Sequence, residues 1–174
     1  MEHRDHPSVG RLAFYLIVAA AAAGTITGWA YASGTADWAM HDLRQPGWAI
    51  PINILSWLWI GKTLLMAYAL WATERFGKPG WRLLALGGEV ALFVSSAGWI
   101  IAFLILRDPA YGFLAIACSW IVTVFTVWFA GRATKLAGVC LWPVLIWTSY
   151  MLTLSFEIMR LNPADMSRLA LVPF

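Results

Sequence analysis

Residues 12–32 read LAFYLIVAAAAAGTITGWAYA, 21 consecutive positions without a charged side chain. A helix rises about 1.5 Å per residue, so about 20 apolar residues cross the hydrocarbon of a bilayer. This stretch is long enough. It is also too long for the apolar core of a cleavable signal, and the Trp-rich segment after it does not resemble a processing site. It is therefore read as a permanent span.

Four further apolar stretches follow, at 51–72, 83–106, 110–130 and 136–159. Polar links separate them. Residues 33–50 form the longest and carry Trp38, His41, Asp42, Arg44, Pro46 and Trp48. Residues 73–82 hold Glu74, Arg75, Lys78 and a Pro79-Gly80 breaker. Arg107-Asp108-Pro109 and residues 131–135 make the last two links. Composition agrees, with 61% of the 174 residues hydrophobic and only 12% charged, against roughly half and a quarter in soluble domains. The expected fold is all-α: a polytopic membrane protein built as a five-transmembrane-helix bundle. Residues 1–11 are read as a polar tail, 12–162 as one transmembrane domain and 163–174 as a short second tail.

A net charge of +3 does not indicate nucleic acid, because the basic residues lie between apolar segments and form no aromatic-laced patch. Cys118 and Cys140 fall inside spans without a CxxC partner, and His3, His6 and His41 lie in the tail and first link. No metal site is expected from that pattern, and His3 and His6 are read as part of a solvated tail. The expected partners are the lipid bilayer and either a second copy or another membrane protein. Arg4, Arg11, Arg75, Lys78, Arg82, Arg132 and Lys135 lie on the amino-terminal side, against Arg44, Arg107, Arg160 and Arg168 on the other. That asymmetry favours a cytoplasmic amino terminus.

Most of the 12 tryptophans fall near span ends, where indole rings favour the headgroup level. Trp29, Trp38, Trp48, Trp71, Trp81, Trp128 and Trp142 fit that description. Trp59, Trp99 and Trp147 lie deeper, about 10–18 Å inside by helical rise. At helical spacing Trp59 shares a face with Thr63 and Met66, Trp99 with Ser95, Ser96 and Phe103, and Trp147 with Met151, Leu154 and Ser155. Such a set suits a flat, apolar ligand, and ordinary interhelical packing satisfies the pattern equally. Lys62 and Glu89 are the ionisable residues well inside spans, and an ion pair between sequential antiparallel helices is the first expectation. The Ala19–Gly24 run and Gly87-Gly88 invite close contacts within the bundle or between subunits. No nucleophile–His–acid set, phosphate loop, HExxH or CxxCH occurs, so no catalytic residue is assigned.

Three motifs resemble those of the tryptophan-rich sensory protein / translocator protein family (TspO/MBR, also called the peripheral benzodiazepine receptor). GVCLWPVLIW at 138–147, continuing to FEIMRLN at 156–162, is similar to the family's fifth-helix Pro-Tyr-Leu-x-Trp, Leu-Asn and closing Leu-Asn pattern. RQPGWAIP at 44–51, with Trp59 eight residues on, resembles its first-loop and second-helix signature. Trp99 followed by Phe103-Leu104 resembles the third-helix Trp and Phe-Phe. The resemblance implies five transmembrane helices with the carboxyl terminus toward the cytoplasm, opposite to the charge asymmetry; the expected location is the inner membrane of a bacterium. It also implies a pocket for porphyrins or other aromatic ligands, closed by the first loop, and a role in tetrapyrrole transport or breakdown.

Carried over by position, that pocket comprises Trp59, Trp99 and Trp147, with Thr63, Ser96, Phe103, Met151, Ser155 and the loop residue Trp48. Several polar positions of the family are replaced: its third-helix Gln and Asn fall at Leu92 and Ser96, its second-helix Tyr at Thr63, its fifth-helix Tyr at Val144 and an Asn at Ser155. Fewer hydrogen bonds are then available to a ligand, which fits a more apolar one, or an assembly subunit using the same scaffold.

Overall fold

The computed structural model describes residues 8–163. Residues 1–7 and 164–174, with His3, His6, Arg4 and Arg168, lie outside the described residues, while residues 9–11 of the expected polar tail belong to α1. Five helices are long and apolar enough to cross a membrane: α1 (Val9–Ala32), α2 (Ile52–Phe76), α3 (Pro79–Trp99), α4 (Pro109–Ala133) and α5 (Lys135–Leu161). The chain is a multi-pass membrane protein whose outer helix faces contact lipid. Helices are the form the backbone takes there because each peptide group finds its partner within its own segment.

The helix ends show where turn chemistry was misjudged. The third span begins at Pro79 rather than Leu83. Proline lacks the N–H that the first helical position would leave unpaired anyway, so it opens this helix instead of breaking the chain. Gly77 and Lys78 alone join α2 to α3, and Thr134 alone joins α4 to α5. Asp108 caps α4, its carboxylate accepting from the Ala110 and Tyr111 N–H groups at 2.8 and 3.1 Å. The third span is not α-helical throughout. Its last turn and a half, Ile100–Ile105, widens into a π-helix.

Packing is uneven around the bundle. Helix α4 lies tightly between α3 and α5, while α2 packs chiefly on α1 and α5 and meets α3 more lightly. Small residues set the close approaches. A Cβ added to Gly138 would lie 2.7 Å from the Gly131 Cα, and one added to Gly88 would lie 2.8 Å from the Thr126 hydroxyl. By contrast Gly87 has open space around it, and in the alanine run only Ala19 and Ala23 are buried. Five of the eight small residues singled out in the sequence, Ala20, Ala21, Ala22, Gly24 and Gly87, are therefore exposed. At the amino-terminal side Arg11 pairs with Glu74 at 2.6 Å, and the Tyr15 hydroxyl donates to the same carboxylate at 3.1 Å, tying α1 to α2.

The Lys62–Glu89 pair does not form. Glu89 accepts a 2.7 Å hydrogen bond from the Thr73 hydroxyl, whereas Lys62 Nζ donates to Ser96 Oγ at 3.1 Å. Thr73 and Lys62 are eleven residues apart on α2, about 16 Å along the axis. Glu89 is therefore at the wrong depth, and α2 leans away from α3 besides. Trp71 lies near the end of α2 and is buried by the protein, with its Nε1 donating to the Ser8 carbonyl at 3.3 Å.

Gly138→Ala should separate α4 from α5 and destabilise the bundle by about 1–3 kcal/mol, the usual effect of overpacking, visible as a lower Tm in detergent. Gly87→Ala, at an open position, should stay within about 0.5 kcal/mol of the parent.

Candidate ligand-binding site

Between α2 and α3, in the half of the bundle nearer the first loop, the light packing leaves a cavity of about 700 Å³. Its walls come from all five spans and its roof from residues 36–51. The volume falls in the range of small-molecule sites, and the walls are mainly apolar with a few polar atoms, which is the usual make-up of such sites.

Seven of the nine residues assigned from the sequence line it: Trp59, Trp99, Trp147, Ser96, Phe103, Met151 and Ser155. Thr63 does not. Its hydroxyl donates to the Trp59 carbonyl at 2.9 Å, and its side chain faces a smaller cavity of about 250 Å³ beside α1. Trp48 does not either. It lies half-exposed on the outside of the roof, edge-on to Tyr150 with ring centroids 5.9 Å apart.

One wall is a ladder of aromatic rings. Trp59 and Trp99 are 6.4 Å apart between centroids, Trp99 stacks on Phe103 at 5.2 Å and 17°, and Phe103 meets the loop residue Trp38 at 5.4 Å. The buried indole N–H groups of Trp59 and Trp99 have no acceptor among the described residues, so packing alone orients these rings. Phe103 lies flat against α4 because residue 112 is glycine; a Cβ there would come within 2.6 Å of its ring. The π-helical turn carries Phe103, and such turns recur at functional sites because they re-aim side chains.

The roof is a built structure rather than a slack link. Gly34, at φ 71°, turns the chain out of α1 in a conformation that glycine adopts without steric cost. A short helical turn, Thr35–Asp37, and a π turn, Trp38–Asp42, follow. Gln45 Nε2 donates to the Ala39 carbonyl at 2.6 Å and fixes the bend. Two side chains of α5 hold the roof down. The Tyr150 hydroxyl accepts from the Ile50 N–H at 2.9 Å. Asn162 brackets Arg44, its Oδ1 accepting from the Arg44 N–H at 2.8 Å and its Nδ2 donating to the Arg44 carbonyl at 3.0 Å.

Sequence reasoning missed these latches. Asn162 stood in a quoted motif, but spacing along a helix does not reveal a partner 118 residues away. It also underrated Lys62, which lines the cavity with its Nζ 4.0 Å from the centre of the Trp59 ring. Chemically the cavity offers aromatic faces, hydroxyls, the Gln45 and Asn53 amides, the His41 imidazole and the Lys62 amino group. It can hold and orient a molecule.

These features define a class: a five-helix membrane protein with an aromatic-walled, loop-roofed cavity inside the bilayer. The chain matches the TspO/MBR family over residues 15–161, and it belongs to that family. It is 30% identical over 132 residues to the tryptophan-rich protein TspO of Chlorobaculum tepidum, covering 74% of this chain and 82% of that protein. With the tryptophan-rich sensory protein of Cereibacter sphaeroides it shares 26% identity over 121 residues, 70% of this chain and 75% of that one.

Asn162→Ala removes both bonds to Arg44 and should loosen the roof while the spans stay folded. Hydrogen exchange at residues 43–50 should rise by about tenfold or more, the effect of losing roughly 1.5 kcal/mol of local stability, with exchange in α4 unaltered.

Proposed function

We propose that this protein is a receptor or transporter-like module of the bacterial inner membrane, binding a flat hydrophobic aromatic ligand such as a tetrapyrrole between its helices. The observation that carries the reading is the 700 Å³ cavity whose wall includes Trp59, Trp99 and Trp147 together. Ring faces at this spacing stack on a planar molecule, and each such contact contributes about 0.5–1.5 kcal/mol beyond the area it buries. The polar atoms of the wall are few, which suits a ligand body that is mostly apolar. An assembly subunit on the same scaffold has no need of such an interior, so the open cavity favours ligand binding over that alternative. No reaction is assigned to the site.

The test is a titration of the purified protein with a porphyrin, followed by tryptophan fluorescence. Saturable quenching is expected, with affinity lowered about threefold to tenfold in Trp59→Phe or Trp147→Phe, matching the loss of a stacking contact. Trp48→Phe, outside the cavity, should titrate like the parent. Identical curves for the parent and both cavity variants would remove the site.

A further inference from the structure

The wall of the cavity contains a lysine, Lys62, that has no acidic partner among the described residues. Lys62 is only 6% exposed and sits on α2 well inside the bilayer. Lysines in such positions ordinarily snorkel to the headgroups or pair with a carboxylate. Lys62 does neither. Its Nζ is held by Ser96 Oγ at 3.1 Å and by the face of Trp59 at 4.0 Å, both neutral partners. Among the described residues no carboxylate lines the large cavity or the smaller one beside α1, and Lys62 and Ser96 border both. Glu89 is engaged by Thr73 at another depth. Two ion pairs among the described residues, Arg11–Glu74 and Arg160–Glu157, are at the ends of the bundle.

An ammonium group has three protons to donate. Ser96 accepts one and the Trp59 ring faces the group from a second direction, which leaves donor capacity directed at the cavity. An anion placed there would meet its counter-charge in surroundings of low dielectric, where opposite charges attract far more strongly than in water. The same Trp59 ring that receives Lys62 stands 6.4 Å from Trp99. A flat apolar body stacked on that pair therefore carries any short acidic arm into reach of Nζ.

We propose that Lys62 is the specificity-determining counter-charge of the cavity, which selects flat apolar molecules bearing a carboxylate over their neutral analogues. This inference rests on the ligand-binding reading above and adds the charge of the ligand to it. Aromatic stacking holds the body of the ligand, and Lys62 with Ser96 holds its acidic group.

The test uses pyrenebutyric acid and its methyl ester, two probes that share a flat apolar body and differ in one charge. Binding is read by energy transfer from tryptophan to pyrene, with the full chain in nanodiscs of zwitterionic lipid. Empty discs measure the partitioning of each probe, which is subtracted. The acid should bind the parent at least tenfold more tightly than the ester. In Lys62→Met, which keeps the hydrocarbon stem, that ratio should fall below twofold, and in Lys62→Arg it should persist. Should Lys62→Met lose its cooperative thermal transition, Lys62→Gln carries the same comparison.

Equal binding of acid and ester by the parent overturns the proposal, as does an acid preference that survives removal of the charge. Trp147→Phe separates the two readings. If it weakens both probes yet no acid preference exists, the cavity stands and the role of Lys62 falls. If neither probe binds saturably, or Trp147→Phe alters neither, the cavity reading falls and this inference with it.

Discussion

Inside hydrocarbon a peptide group has only its own chain to hydrogen-bond, and the rest of this structure follows from that constraint. It accounts for five uninterrupted helical spans and for links as short as one or two residues at the amino-terminal side. It governs the polar side chains as well. The hydroxyls of Thr123 and Thr126 donate to the carbonyl four residues earlier, at 2.7 Å, and so satisfy their donors within one helix. Helices treated this way associate mainly by shape, which is why Gly138 against Gly131 and Gly88 against Thr126 set close joints.

The cavity is the complement of those joints. Helix α4 closes on α3 and on α5 through small residues, while α2 is drawn toward α1 and α5. The space left between α2 and α3 is then lined by large side chains that have no opposing helix to fill them. The roof completes the enclosure from the aqueous side, and its bonds to Tyr150 and Asn162 make α5 both a wall and an anchor. Arg107 contributes from the neighbouring link. It holds a left-handed φ of 52°, and its guanidinium lies 6.0 Å from the Trp38 ring of the roof.

The spans were legible because a run such as residues 12–32 has one physical destination, and the depth of Trp59, Trp99 and Trp147 followed from helical rise alone. Their companions Phe103, Met151 and Ser155 fall on the same helical faces, but periodicity left packing and a pocket both open, and only the resemblance implied a shared site. What the sequence concealed was lateral: which helices are neighbours. The expected Lys62–Glu89 pair assumed that consecutive helices pack tightly, and α2 and α3 do not. Trp48 was placed in the pocket by its position in a motif, although its ring turns outward onto Tyr150. The π-helical turn at Ile100–Ile105 has no signature in hydrophobic periodicity, which reads the same apolar run as α-helix.

The aromatic ladder has a photophysical consequence. From Trp59 through Trp99 and Phe103 to Trp38, consecutive rings lie 5.2–6.4 Å apart between centroids, running from the wall of the cavity to its roof. Indoles this close exchange electronic excitation faster than they emit. The protein's ultraviolet emission is therefore not a sum of independent tryptophans. Energy absorbed by Trp59 or Trp99, 6.4 Å apart, drains toward the lower excited state of that pair, and a long-wavelength absorber seated against either becomes its sink.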